Sequence, residues 1–388
     1  MAEFYVDNSA NLMNVISNIA KCDVIAVDTE FHREKSYFAR LGLVQIGAGE
    51  DVFLIDPLKV DIAPLRDIFE SDIEVVFHAA QQDLEIFNRY LGTVPRVFFD
   101  TQIAANFLGY STPGLGVLLE SFLEIHLDKS DRLSDWLARP LDKNQLRYAG
   151  QDVAHLVLLR DRLVEDVSKA GRLEWLTSEL SDYISLDFTG IADPKRVFSK
   201  LREAKALKGK NRKAAFALVK WREEKAVVVD RPSRFVLPDI AIGSLAQSLP
   251  KKVTDVRSAR GMDSRYLVDG VEFEILKVIT ESESINLSEL DELLAVEVPT
   301  LNNESISFIM TWLSSYAKRL KIDPSTLATR PDVVDLFSQV PKGRLVTSWR
   351  KEAIGDYLTQ VRDGEIALAL SPSGEVEMVK NSRKSVGL

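Results

Sequence analysis

"CDVIAVDTEF", residues 22–31, is the stretch on which the reading of the first half turns. Its apolar run, rich in β-branched residues, reads as a buried strand, and Asp28 and Glu30 fall where that strand should end. Side chains alternate along an extended chain, so both carboxylates leave the same face. Like charges held that close repel, and a divalent cation resolves the conflict, because oxygen-rich sites suit Mg²⁺ or Mn²⁺. Two solvated acids in a loop after a strand are the more ordinary explanation of such a pair. By itself, then, the pair decides little.

Working outward, "RLGLVQIGAG" and "DVFLIDP" read as two further strands, "PLRDIFESD" as a helix, "EVVFHAA" as a strand and "QQDLEIFNRYLG" as a helix closing at Gly92. From "RVFFDTQIAANFLGY" onward the spacing is helical, through "DWLARP" and a long stretch from Asp142 to about Ala170. Three strands followed by βα units predict a mixed sheet flanked by helices. Near "SLDFTGIADPKR" the pattern lapses, with Gly190 and Pro194 as breakers. Beyond it the chain is helical almost to its end, where "EIALALSPSGEVEMVK" alternates like a short hairpin and the tail "NSRKSVGL" is expected to be disordered.

The totals bound the rest. A chain of 388 residues predicts two or three domains, and 46% hydrophobic residues are enough for real cores. The lone Cys22 excludes an internal disulfide and a thiolate metal cluster. With no long apolar run and no basic-then-apolar leader, the expectation is a cytoplasmic protein with no membrane partner. Net charge is -9, yet Ile191–Phe235 holds 14 Lys and Arg against 5 Asp and Glu. An acidic body thus carries a basic collar.

More acid lies in comparable positions. Asp83 opens the helix after "EVVFHAA", and "YAGQDV" sets Tyr148 and Asp152 four apart, one helical turn from each other. An acid at a helix start is favoured by the macrodipole alone, so each of these also has an ordinary explanation.

Together they make a recognisable set. The sequence resembles the DEDD family of 3'-5' exonucleases, in the subgroup with tyrosine in its third motif and in the ribonuclease D branch: "VDTEF" looks like the first motif, "FHAAQQDLEIF" the second and "YAGQDV" the third, with "LVQIG" and "FDTQIAANFLGY" between them. "FALVKWREEKA" resembles the helicase-and-RNase-D C-terminal (HRDC) domain, and "LATRPDVVDLF" with "GRLVTSWRKEAIGDYL" a more divergent last domain. The resemblance implies an α/β, RNase H-like exonuclease domain over residues 1–190, a basic linker over 191–210, an HRDC domain over 211–292 and a second, all-α HRDC-like domain over 293–380. It implies that Asp28, Glu30, Asp83 and Asp152 hold two divalent cations, Mg²⁺ or Mn²⁺, and that Tyr148 positions the attacking water. Two ions about 3.5 to 4 Å apart can clamp the incoming and departing oxygens of an in-line displacement at phosphorus.

The implied activity is a 3'-5' exoribonuclease trimming RNA with a single-stranded 3' end, precursor tRNA among its substrates, and releasing nucleoside 5'-monophosphates. A DNA exonuclease or a binding adaptor with a vestigial site are the alternatives; the complete acid set speaks against the adaptor. Candidate substrate contacts are Phe31, His78 and Gln82 near the motifs. Since a carboxylate-lined cleft repels a polyanion, Lys208, Lys210 and Arg212 of the collar, with Lys195, Arg196, Lys200, Arg202, Lys205 and Lys213, are candidate phosphate contacts. The other histidines, His32, His126 and His155, have no zinc-ligand spacing, and no G-x-x-x-x-G-K-[ST] is present, so no nucleoside triphosphate is expected as a partner.

Overall fold

The computed structural model describes residues 2–127, 134–294 and 301–381, without the side chains of residues 204–205 and 291–294. Two compact units are present. The first comprises Met1–Glu30, Leu41–Asp187 and Glu297–Leu388; the second comprises Phe31–Arg40 and Phe188–Val296.

The first unit is built on a six-stranded mixed sheet in the order β1-β4-β3-β2-β5-β6. Its strands are β1 (Ala2–Val6), β2 (Val24–His32), β3 (Arg40–Ala48), β4 (Asp51–Ile55), β5 (Glu74–Phe77) and β6 (Val97–Asp100). The strands β2 to β5 stand where the apolar runs predict them. Two were not foreseen: β1 at the N-terminus and β6, where "VFFD" runs directly into the helix Thr101–Asn106 and its four residues are masked by helical spacing. β5 lies parallel to β2 and β6, whereas β3 and β4 are antiparallel. Three strands therefore present their C-terminal ends at one edge, where sites of open α/β sheets form. Ile25, Val27, Leu43, Val75, Phe77 and Phe87 are almost wholly buried at the centre.

The long helical stretch after Asp142 is two helices, Lys143–Ala154 and Leu156–Lys169, which part at His155, where the backbone leaves the helical region. A capping box starts the first, Asp142 accepting from the Gln145 amide while the Gln145 side chain accepts from the Asp142 N–H. "DWLARP" is not helical but a turn, held by Arg139, which donates to the carbonyls of Trp136, Ala138 and Gly42 and forms a two-pronged ion pair with the fully buried Asp56.

The C-terminal part of this unit packs on the nuclease part. Arg350 grips Glu179 with both guanidinium nitrogens at 2.6 and 2.7 Å, Trp349 donates to the same carboxylate at 3.0 Å, and the Trp349 ring stacks on Trp175 with centroids 5.1 Å apart. The hairpin foreseen from alternation is present as β7 (Ile366–Leu370) and β8 (Val376–Lys380), so this last region is helical with a two-stranded end. The tail from residue 382 on lies outside the described residues.

The second unit is helical. Its core gathers Leu218 and Val219 of the helix Gly209–Val228, Ile242 and Leu245 of Asp239–Ser248, and Ile275 of Val271–Glu281. Phe198 and Leu201 are buried in the same core. The segment 191–210, expected as a basic linker, is thus part of a folded unit: Pro194–Lys200 is a helix, and its apolar face supplies core. Phe31–Arg40 joins this unit as well. The Asp230 carboxylate accepts from the backbone N–H groups of Tyr37 and Phe38, and the Tyr37 ring is buried against Ala226 and Val236. No helix among the described residues is long and apolar enough to cross a membrane.

Candidate active site

Asp28, Glu30 and Asp152 converge. Each offers a carboxylate oxygen within 4.8 Å of the others, with Asp28 and Glu30 from the second half of β2, which runs on past the acid pair to His32, and Asp152 from the helix Lys143–Ala154. Close approach of that helix depends on Gly47 of β3, where a Cβ would lie 2.9 Å from the Val153 carbonyl oxygen. Gly42 does the same for the turn before it, a Cβ there falling 2.7 Å from the Trp136 carbonyl. Trp136, buried, sets its ring 6.1 Å from that of Tyr148, one turn before Asp152.

Asp83 stands beside these three rather than among them. It is buried at the start of the helix Gln81–Leu91 and accepts a 2.5 Å hydrogen bond from Thr29 Oγ, the residue between Asp28 and Glu30. Its helix is aimed by Asp100 at the end of β6. That carboxylate accepts from the N–H groups of Ala79 and Ala80, in the turn leading into the Asp83 helix, and also caps its own helix through Gln102 and Ile103. Ala79 has φ +58°, a left-handed conformation that a non-glycine residue holds only when its surroundings impose it. Nothing in the sequence pattern marks the role of Thr29, and only the flanking "FDTQ" points to Asp100.

The electrostatics match the geometry. Burial, then the nearby Asp152, pushes the Asp28 carboxyl well above the ordinary carboxylate range, and burial followed by Asp28 does the same to Asp83. Charge so confined must be neutralised by protons or by cations. An all-oxygen donor set of this kind fits a divalent ion of the Mg²⁺ or Mn²⁺ type.

The remaining candidates separate. His78 Nδ1 lies 2.9 Å from Thr101 Oγ and the ring also bonds the Pro113 backbone, so it ties the end of β5 to the start of the helix Thr101–Asn106 and to the loop at Pro113; burial lowers its pKa. Gln82 is exposed on the first turn of the Asp83 helix, and Phe31 is half-buried at the start of the segment that joins the second unit. Lys208 and Lys210 are exposed at the start of the helix Gly209–Val228. Arg212 donates to the Leu207 carbonyl and Lys213 to that of Glu283, which anchors both within their unit. The Lys205 side chain lies outside the described residues.

Comparison with known proteins places the chain among nucleases. Residues 4–168 match the 3'-5' exonuclease family model, and residues 212–279 match the HRDC domain. A ribonuclease D of Acidiphilium cryptum is 32% identical over 376 residues, covering 94% of each chain, and that of Zymomonas mobilis is 30% identical over 394 residues, covering 96% of this chain and 97% of its own. The chain belongs to the ribonuclease D family. The crystal structure of Escherichia coli RNase D, an exoribonuclease involved in structured RNA processing, superposes with a TM-score of 0.80 at 26% identity over 94% of this chain and 99% of that one. Ribonuclease D is a 3'-5' exoribonuclease, a hydrolase of phosphodiester bonds, and the mixed-sheet nuclease domain followed by a helical HRDC domain is its architecture.

Proposed function

We propose that this ribonuclease D trims single-stranded 3' ends of stable RNA precursors, tRNA precursors among them, in the cytoplasm, with hydrolysis centred on Asp28, Glu30, Asp83, Asp152 and Tyr148. The convergence of three carboxylates from two elements within 4.8 Å carries the reading. Asp28, Glu30 and Asp152 would hold two divalent cations, with Asp83 completing the acidic set behind Thr29. Cations bound there supply a charge clamp on the phosphate and hydroxide near neutral pH. Tyr148 orients the attacking water through its hydroxyl. The phosphorus gains the water oxygen, its bond to the preceding nucleotide's 3' oxygen breaks, and that oxygen takes up a proton; the terminal nucleotide leaves as a 5'-monophosphate. The exposed Lys208 and Lys210 supply phosphate contacts outside this acidic cluster, and the involvement of the Escherichia coli relative in structured RNA processing favours precursors with a folded body.

The deciding experiment incubates the purified protein with 3'-labelled and with 5'-labelled single-stranded RNA, and with a 3'-tailed tRNA precursor, in Mg²⁺ and in EDTA. Mononucleotide release from the 3' label, a descending ladder from the 5' label, a stop near the folded body and silence in EDTA are expected. Internal cuts, or equal rates in EDTA, would sink the reading.

A further inference from the structure

Gln45 of β3 is fully buried, and neither its amide oxygen nor its amide nitrogen has a hydrogen-bond partner. A carboxamide left so bears the desolvation penalty of both its groups without compensation, which a leucine or methionine at this core position would avoid.

Its place in the sheet identifies the neighbour. β2 and β3 adjoin and are linked by only seven residues, 33–39, too few for a crossover, so they run antiparallel. A Cβ on Gly47 would lie 3.4 Å from the Ala26 Cβ, and only directly opposed residues of two strands come that close. Two residues forward along β2 and two back along β3 then set Asp28 opposite Gln45, on the same face. The pairing of Gln45 with Leu54 and of Gly47 with Val52 is regular, so β3 carries no bulge between them, and β2 is a continuous strand from Val24 to His32. On that face Gly47 meets Val153, the residue after Asp152. The unpaired amide thus stands at the floor of the Asp28, Glu30 and Asp152 cluster.

We propose that Gln45 is a positioning residue of the candidate metal centre, its amide nitrogen donating to the Asp28 carboxylate when a cation is bound and so fixing the orientation of that carboxylate. Partners of metal-ligating carboxylates act in this way, and their loss costs about 10–100-fold in metal affinity or activity. The inference rests on the reading of the cluster as a cation site.

The test is calorimetric titration of the full chain with Mn²⁺, for the wild type, Asp28→Asn, Gln45→Met and, as a second replacement of similar size, Gln45→Leu. Both Gln45 variants should melt at or above the wild-type temperature without metal, since no amide remains unpaired. They should bind Mn²⁺ about 10-fold or more weakly, with kcat reduced and KM for RNA unchanged. Wild-type Mn²⁺ affinity in either folded variant would overturn the role of Gln45 while leaving the cation site intact. A wild type that binds no more Mn²⁺ than Asp28→Asn would overturn both.

Discussion

Asp28 joins chemistry and stability in one side chain. Its raised pKa, like that of Asp83, means that the folded chain holds these protons more tightly than the unfolded chain does. The stabilisation is complete below the unfolded value near 4 and is lost as pH rises through the raised folded values. In EDTA the wild type should therefore melt lower at pH 8 than at pH 5.5, and Mn²⁺ should restore it; a scanning-fluorimetry series checks both. Asp28→Asn should be devoid of activity yet melt higher than the wild type in EDTA at pH 8, by about 1–2 °C per kcal/mol of repulsion relieved in a chain of this length. A lower melting point would make Asp28 a structural acid. Tyr148→Phe should lose about 10² to 10⁴ in kcat while binding RNA as before, because the role proposed for the phenol is toward the attacking water and not toward the RNA. Single-turnover rates beside a filter-binding isotherm separate the two. The convergence of Asp28, Glu30 and Asp152 was legible because such residues gather for few reasons. Thr29, Asp100 and Gln45 were not, since their work depends on neighbours distant in the chain.

Strands and helices were legible to the degree that their patterns ran uninterrupted. β2 to β4 are apolar runs between turn residues, whereas β6 is four residues long and passes without a break into a helix. "DWLARP" misled because its apolar spacing serves a turn whose shape comes from Asp56, some eighty positions away. The glycines of β3 show what such spacing conceals. Gly47→Ala should push the Val153 carbonyl by several tenths of an ångström, costing about 1–3 kcal/mol in stability and displacing Asp152 with it. Since a misplacement near 1 Å can cost about 10²-fold, kcat should fall by about tenfold or more while the fold survives. Unchanged kcat with a normal melting point would show that the helix is free to move. At the start of the helix Gly209–Val228, replacing Lys208 and Lys210 together with alanine should weaken RNA binding at low salt. The slope of log K against log salt should flatten by about 0.7 for each phosphate that is no longer neutralised. Identical slopes would remove both lysines from the RNA surface.

In the whole molecule, the first compact unit gathers stretches that are far apart in sequence. Burial would raise the Glu179 carboxyl, but the hydrogen bonds and charge of Arg350, with Trp349, outweigh it and hold the group below its usual range. Its contribution is present above the unfolded value near 4.3 and fades as pH falls through the folded one. Arg350→Met, which strands that carboxylate, should cost roughly 3 kcal/mol in urea denaturation at pH 7, with a smaller difference from the wild type below about pH 4. Equal midpoints at pH 7 would mean that the ring stacking of Trp349 on Trp175 holds the parts together unaided. Deleting everything beyond Ser185 therefore does not liberate a finished nuclease half, since it strips the partners from Glu179 and Trp175.

Synthesis on the ribosome meets the same dependence as an interval of time. Once Glu179 has been made, at about 5–20 residues per second, roughly 10–30 s pass before Trp349 and Arg350 follow. Through that interval the nascent chain carries every carboxylate of the cluster but lacks the residues that close around Glu179 and Trp175. A ribosome stalled short of Trp349 holds a ribonuclease complete in its acids and incomplete in its fold.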